Sequence, residues 1–150
     1  MELAQTLAAL DTQLQLLAEH WGQFSEAELL ALPGPGRWCK KEVLGHLIDS
    51  AANNHRRFVL AQVAPAPLKL LPYDQDGWVR AAHYRHLPAP DLLALWTSYN
   101  RLIRHLLAHI PAATLATECF SLHNNPVTLG WVVTDYVLHL EHHVRQIIHE

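Results

Sequence analysis

Val127-Thr128-Leu129-Gly130-Trp131-Val132-Val133-Thr134-Asp135-Tyr136-Val137-Leu138-His139-Leu140 can be read in two ways, and the choice decides the fold class. Val127–Val133 is rich in β-branched and aromatic residues, which favour a strand. Yet Leu129, Val133, Tyr136, Leu140 and Ile147 keep to the three-and-four spacing of one helical stripe. The sustained period outweighs local propensity. A helix is expected from about Val127 nearly to the end of the chain.

Working upstream, the same argument gives three more long helices. Leu92, Leu95, Trp96, Tyr99, Leu102, Ile103 and Leu106 form one that opens beside Pro90-Asp91 and stops before Pro111. Val43, Leu44, Leu47, Ile48, Ala51, Phe58 and Val59 mark another from Lys40 to about Val63, closed by Pro65 and Pro67. Leu3, Leu7, Leu10, Leu14, Leu17 and Trp21 give the first, ending near Gly22. Between the first two, Ser25-Glu26-Ala27-Glu28 has capping-box spacing and predicts a short turn, broken by Pro33-Gly34-Pro35-Gly36. Residues 64–90 are proline-rich and without clear period, which predicts a long crossover. The expected fold is all-α, a four-helix bundle with a long crossover between its second and third long helices. One domain over residues 1–150 is expected, with no convincing strand.

Composition narrows the function. Half of the 150 residues are apolar and 17% are charged, which excludes a disordered or acidic chain. The formal charge of −3, without a Lys/Arg run, argues against nucleic acid as a partner. The N-terminus lacks the basic and apolar regions of a signal peptide, and no apolar stretch approaches bilayer length. No membrane association and a cytoplasmic location are therefore expected. Cys39 and Cys119 are far apart and outside any CxxC spacing, so neither a disulfide scaffold nor a thiolate zinc site is indicated.

The compositional anomaly is twelve histidines. His139 and His143, four residues apart on one helix, lie about 40° apart around its axis and can converge on one point. His105 and His109 share that spacing. His143, however, falls in the Tyr136–Leu140–Ile147 seam, where an imidazole needs a partner, whereas His105 and His109 flank their stripe. His139 and His143 therefore read either as half of a metal site or as hydrogen-bonded core histidines. His142 points to another side. Asp135, one turn before His139, is placed to accept that ring's second N–H, directly or through water, as metal-bound histidines usually require. His46 shares a side of its helix with Ser50, Asn53 and Arg57, away from the apolar stripe, and by itself reads as a surface residue.

Trp38-Cys39-Lys40-Lys41-Glu42-Val43-Leu44-Gly45-His46-Leu47-Ile48-Asp49-Ser50 resembles the W-S-x-K-E-x-x-x-H-L-x-D-S signature of DinB-like proteins, among them YfiT-type hydrolases and bacillithiol S-transferases. His139-Leu140-Glu141-His142-His143-Val144-Arg145-Gln146-Ile147 is similar to the family's terminal H-x-x-H-H-x-x-x-I. Tyr73-Asp74-Gln75-Asp76-Gly77-Trp78 and the Trp96–Tyr99–Asn100 pattern resemble one branch of it. The resemblance covers nearly the whole chain. It implies a metal held by His46, His139 and His143, a four-helix bundle and a homodimer. Cys39 departs from the usual serine, a better helix N-cap; it bears on the helix start and is set aside as a nucleophile.

Three imidazoles leave a coordination position open, as catalytic metal sites require. The expected activity is that of a metal-dependent thiol S-transferase or hydrolase acting on a small electrophile. The ion would be zinc or nickel, and a low-molecular-weight thiol would serve as cosubstrate. Asp49, one turn after His46, and the crossover acids Asp74 and Asp76 are the candidate proton carriers, each weighed against an ordinary solvated carboxylate. Trp78, Trp96, Trp131 and Tyr136 are candidates to line an apolar pocket, against the commoner role of aromatics in a core. The alternative is a non-catalytic metal-binding or stress-response module with a structural ion. Haem between bundle histidines ranks last.

Overall fold

The computed structural model describes residues 2–150. Four long helices carry the fold: α1 (Leu3–Trp21), α3 (Lys40–Val63), α5 (Ala89–Ala108) and α6 (Leu129–His149), with a short α2 (Glu26–Leu30) after α1. At 1.5 Å per residue they run roughly 29 to 36 Å, similar enough to share one core along their length. α1 and α3 each pack against α5 and α6, so these two consecutive long helices lie across the bundle from each other. Leu10, Leu17, Leu44, Leu47, Phe58, Trp96, Ile103 and Leu140 fill the middle. The expected four-helix bundle is the observed one.

Helix boundaries follow from local chemistry. Ser25 caps α2 through its Oγ and receives the Glu28 carboxylate on its own N–H, the expected reciprocal box. At α3 the Glu42 carboxylate accepts the backbone N–H of Cys39 at 2.9 Å, so the helix starts there despite the missing serine. α5 begins at Ala89 with a proline in its first turn, where the absent N–H costs nothing.

Two expectations need correction. The crossover contains helix α4 (Gln75–Ala82) and a 3-10 turn at Tyr84–His86. The Asp74 carboxylate caps α4 by accepting the Gly77 N–H at 3.0 Å, and His83 ends it in the left-handed region, at φ 54°. Strands are also present: β1 (Leu68–Lys69) in the crossover, and β2 (Glu118–Phe120) and β3 (Pro126–Thr128) between α5 and α6. β1 runs parallel to β2, with Leu68 opposite Cys119, and β2 is antiparallel to β3, with Cys119 opposite Val127. The strand-like start of the Val127 stretch is thus a real strand. Thr128 ends it and caps α6, its Oγ1 accepting the Trp131 N–H at 3.2 Å.

The sheet and the crossover position the site. β1 holds the crossover against the β2–β3 hairpin at the start of α6, bringing Tyr73 beside that helix. At the far end of the crossover, buried Lys41 donates to the Leu87 carbonyl at 2.8 Å and pairs with Glu26. Tyr84 then packs on α3 so closely that a Cβ at Gly45 would lie 2.1 Å from its ring. Only glycine admits that approach.

Candidate metal centre

His46 comes from α3 and His139 and His143 from α6, and the structure brings their ring nitrogens within 4.8 Å of one another. The ring centroids are 4.6 to 5.1 Å apart. His46 is 1% exposed, so the surface reading from its own helix fails. The side it shares with Ser50 and Arg57 is polar because it faces α6 and a cleft rather than open solvent.

The three rings are held neutral. Burial, then the neighbouring His143 and His139, bring the pKa of His46 down to about 3. Burial, then His143 and His142, bring His139 down to about 4. Burial also lowers His143, against the opposing hydrogen bond that its ring donates to Gln146. Neutral imidazole is the ligand form. The Nδ1–H of His143 donates to Gln146 Oε1 at 2.8 Å, which leaves Nε2 with its lone pair free. His46 Nε2 and His139 Nε2 are 3.2 Å apart. Two nitrogens bound tetrahedrally at ~2.0–2.1 Å would be about 3.3 Å apart, so this spacing fits a shared ion. Among the described residues His46 Nδ1 is buried without a partner. Trp38 covers the ring, centroid to centroid 5.0 Å.

A cleft of about 160 Å³ opens beside His139, lined by Ser50, Asn54, Arg57, Tyr73, Asp135 and Tyr136 among others. Along α3, Asn54 Nδ2 donates to the Ser50 carbonyl at 2.9 Å, and Asn54 Oδ1 accepts from Arg57 at 3.3 Å. A second donor of Arg57 reaches the Leu71 carbonyl at 2.8 Å. Burial lowers the pKa of Arg57, while Tyr73 and Asp135 oppose that shift. Burial also pushes the Tyr73 hydroxyl up to about 12.

The candidate acids are dispersed. Asp135 lines the cleft with His139 but makes no direct hydrogen bond to it among the described residues; its charge partner is Arg57. Asp49 is buried and accepts a hydrogen bond from the Tyr84 hydroxyl, leaving its Oδ2 without a partner among the described residues. Burial raises its pKa against that bond. Asp76 lines a separate cavity of about 520 Å³, with Trp38, Arg80, Tyr84 and Arg85 on its walls, and Asp74 is spent on capping α4. Of the candidate aromatics, Tyr136 lines the cleft and donates its hydroxyl to Asn100 Oδ1 at 2.6 Å. Trp96 is core, Trp131 is exposed, and Trp78 is exposed against Tyr73. Burial raises the Cys39 thiol, as expected of an inert residue.

Gln146 and Trp38 are the contributors that spacing does not reveal. Both stand inside the two motifs, but their roles depend on side-chain direction.

Known proteins bear on these observations. The family model of the DinB superfamily matches residues 9–147. Proteins of Oceanobacillus iheyensis and Bacillus mycoides, each named "Putative metal-dependent hydrolase", are 26% identical over 112 residues, or 75% of this chain. The chain covers 64% of the length of each of these relatives. YfiT from Bacillus subtilis, described as "a probable metal-dependent hydrolase with an unusual four-helix bundle topology", superposes with a TM-score of 0.87 at 22% identity, over 97% of this chain and 83% of its own. The mycothiol-dependent maleylpyruvate isomerase superposes with a TM-score of 0.71 at 12% identity, over 96% of this chain and 58% of its own. At such identities the likeness is one of fold.

Proposed function

We propose, from the premise that this chain belongs to the DinB superfamily, that His46, His139 and His143 hold one divalent metal ion, zinc or nickel, and that the protein is a metal-dependent enzyme acting on a small electrophile. The reaction is of thiol S-transferase or hydrolase type. The observation that carries this reading is the convergence of three neutral imidazoles from two helices, two of them with nitrogens 3.2 Å apart. When bound, such an ion lowers the pKa of a coordinated thiol or water and supplies a nucleophile near neutral pH.

The chain's own residues do the rest. Gln146 holds His143 in the tautomer that presents Nε2, and Trp38 shields His46 from water. Ser50, Asn54, Arg57 and Tyr73 offer polar groups to a molecule beside His139. Asp49, turned to Tyr84, and Asp76, on the other cavity, are assigned no proton-transfer role in this reading. A structural ion in a closed site would call for a fourth protein ligand; among the described residues the cluster supplies three.

Elemental analysis of untagged protein purified without chelators tests the reading, beside His46→Ala and His143→Ala. Near-stoichiometric metal in the wild type and its loss in both variants supports the shared site and leads to assays of thiol transfer and hydrolysis. Absence of metal after reconstitution with zinc and with nickel would sink it.

A further inference from the structure

The cleft beside His139 carries one cation and one anion that feel each other's charge without meeting. Arg57 reaches it from α3 and Asp135 from α6, yet no ion pair joins them among the described residues. Arg57 is half-buried and directs two of its N–H donors to Asn54 Oδ1 and the Leu71 carbonyl. A guanidinium has five such donors, so three remain for a ligand. Asp135 is exposed on the opposite helix, without a hydrogen-bond donor among the described residues. Asp135 offsets the burial of Arg57 only at a distance, and a partly desolvated cation gains further from a charge in direct contact.

From this arrangement we infer that the cleft takes the aminocarboxylate of a small zwitterion, its carboxylate on Arg57 and its ammonium on Asp135. A simple anion would satisfy Arg57 but meet the like charge of Asp135; a simple cation would meet the reverse conflict. A ligand with both charges is complementary to both walls. The volume agrees: about 160 Å³ equals roughly five waters at ~30 Å³ each, room for a molecule the size of a single amino acid. Asn54, braced on Ser50, fixes the guanidinium from behind, and the Tyr73 hydroxyl is a further donor in the wall. The inference rests on reading this cleft as the substrate side of the histidine cluster. In that reading the zwitterion is a thiol amino acid whose sulfur lies toward the histidines.

The probes are L-cysteine, cysteamine, which lacks the carboxylate, and 3-mercaptopropionate, which lacks the ammonium. Their affinities are measured by calorimetry on zinc-loaded protein, with zinc content determined on the same sample. The expected wild-type preference for L-cysteine over cysteamine is about tenfold. Arg57→Gln abolishes that preference with zinc retained, and Arg57→Lys, which keeps the charge without the fork, restores part of it. Asp135→Asn weakens both amine-bearing thiols and, by removing a like charge, strengthens 3-mercaptopropionate, a pattern that chelation by zinc alone does not produce.

Equal preference in wild type and Arg57→Gln, or no binding of any of the three, overturns the inference while bound zinc leaves the metal reading standing. If the wild type holds no zinc, the metal reading fails first. The cleft is then tested by NMR titration of the same protein with L-alanine, propionate and ethylamine. L-Alanine shifting the Arg57 side-chain signal at lower concentration than propionate or ethylamine supports the inference, and equal or absent shifts overturn it.

Discussion

His139 and His143 on α6 and His105 on α5 with His109 at its C-cap are the same four-residue pair, with ring centroids 4.6 Å and 4.4 Å apart. Their surroundings differ. On α5 both residues are exposed, and the ring of His109 bonds through Nδ1 to the carbonyl of His105 at 2.7 Å. On α6 the His143 ring bonds Gln146, and both rings meet His46 from α3, which Trp38 covers in turn. Helical spacing supplies two imidazoles on one face in either case. A facing helix with a third nitrogen, and enough burial to keep all three neutral, is what distinguishes a candidate centre from a surface pair.

The largest expected effect would break that comparison outright. His46→Ala should lower metal affinity by more than about 100-fold, beyond what loss of an outer hydrogen bond costs a metal site. The double variant His105→Ala/His109→Ala should leave affinity unchanged; dialysis against a metal buffer followed by elemental analysis reads both. Metal retained without His46, or lost without the α5 pair, means that burial and convergence are the wrong distinction. Next in size is Gln146→Leu, which removes the acceptor of the His143 Nδ1–H. Affinity should fall about 10–100-fold, with the three histidines still in place.

Acid sensitivity sharpens the comparison further. In metal-free protein the pKa of His46 is about 3, depressed from 6.5 chiefly by burial. Between those values the unfolded chain binds a proton that the native chain refuses, so native stability falls as pH drops below 6.5. From pH 7 to pH 5 this amounts to up to about 2 kcal/mol for His46, with His139, also unprotonated in the native state over that range, adding a similar amount. Urea denaturation of metal-free protein at the two pH values measures it, and His46→Ala should flatten the dependence. An unchanged slope in that variant would show that the acid sensitivity arises elsewhere.

Much of this was legible in the sequence, and the exceptions have physical causes. The α3 bounds Lys40–Val63 follow from a long apolar stripe ended by prolines, and that signal survives any tertiary context. α4 has eight residues and one buried side chain, Val79, so it has no stripe to read. β1 has two residues and exists because Leu68 meets Cys119, far along the chain. His139 and His143 are visible as a spacing. His46 is not, because its neighbours Ser50, Asn54 and Arg57 make a polar stripe that mimics a solvated face. Only the family resemblance moves His46 into the cluster at that stage. Asp135 has the right spacing to His139, but no direct bond joins the two among the described residues, and the charge acting on it is that of Arg57, one helix over.

The smallest expected effect tests whether the α5 pair contributes anything at all. His105 is in the last turn of α5, exposed, and loses on truncation only its contact with the equally exposed ring of His109. Alanine is the better helix former by a few tenths of a kcal/mol, which favours the variant. Against it, a basic side chain near a helix C-terminus contributes ~0.3–1 kcal/mol when charged. The two terms nearly cancel, so His105→Ala should shift stability at neutral pH by less than about 0.5 kcal/mol. His143→Ala, in contrast, removes a half-buried ring that touches both His46 and His139, and should cost measurably more even without metal. Thermal melts of the two metal-free variants side by side decide the matter. Equal losses would mean that burial of the α6 pair contributes nothing to the fold, leaving metal affinity as the only property separating the pairs.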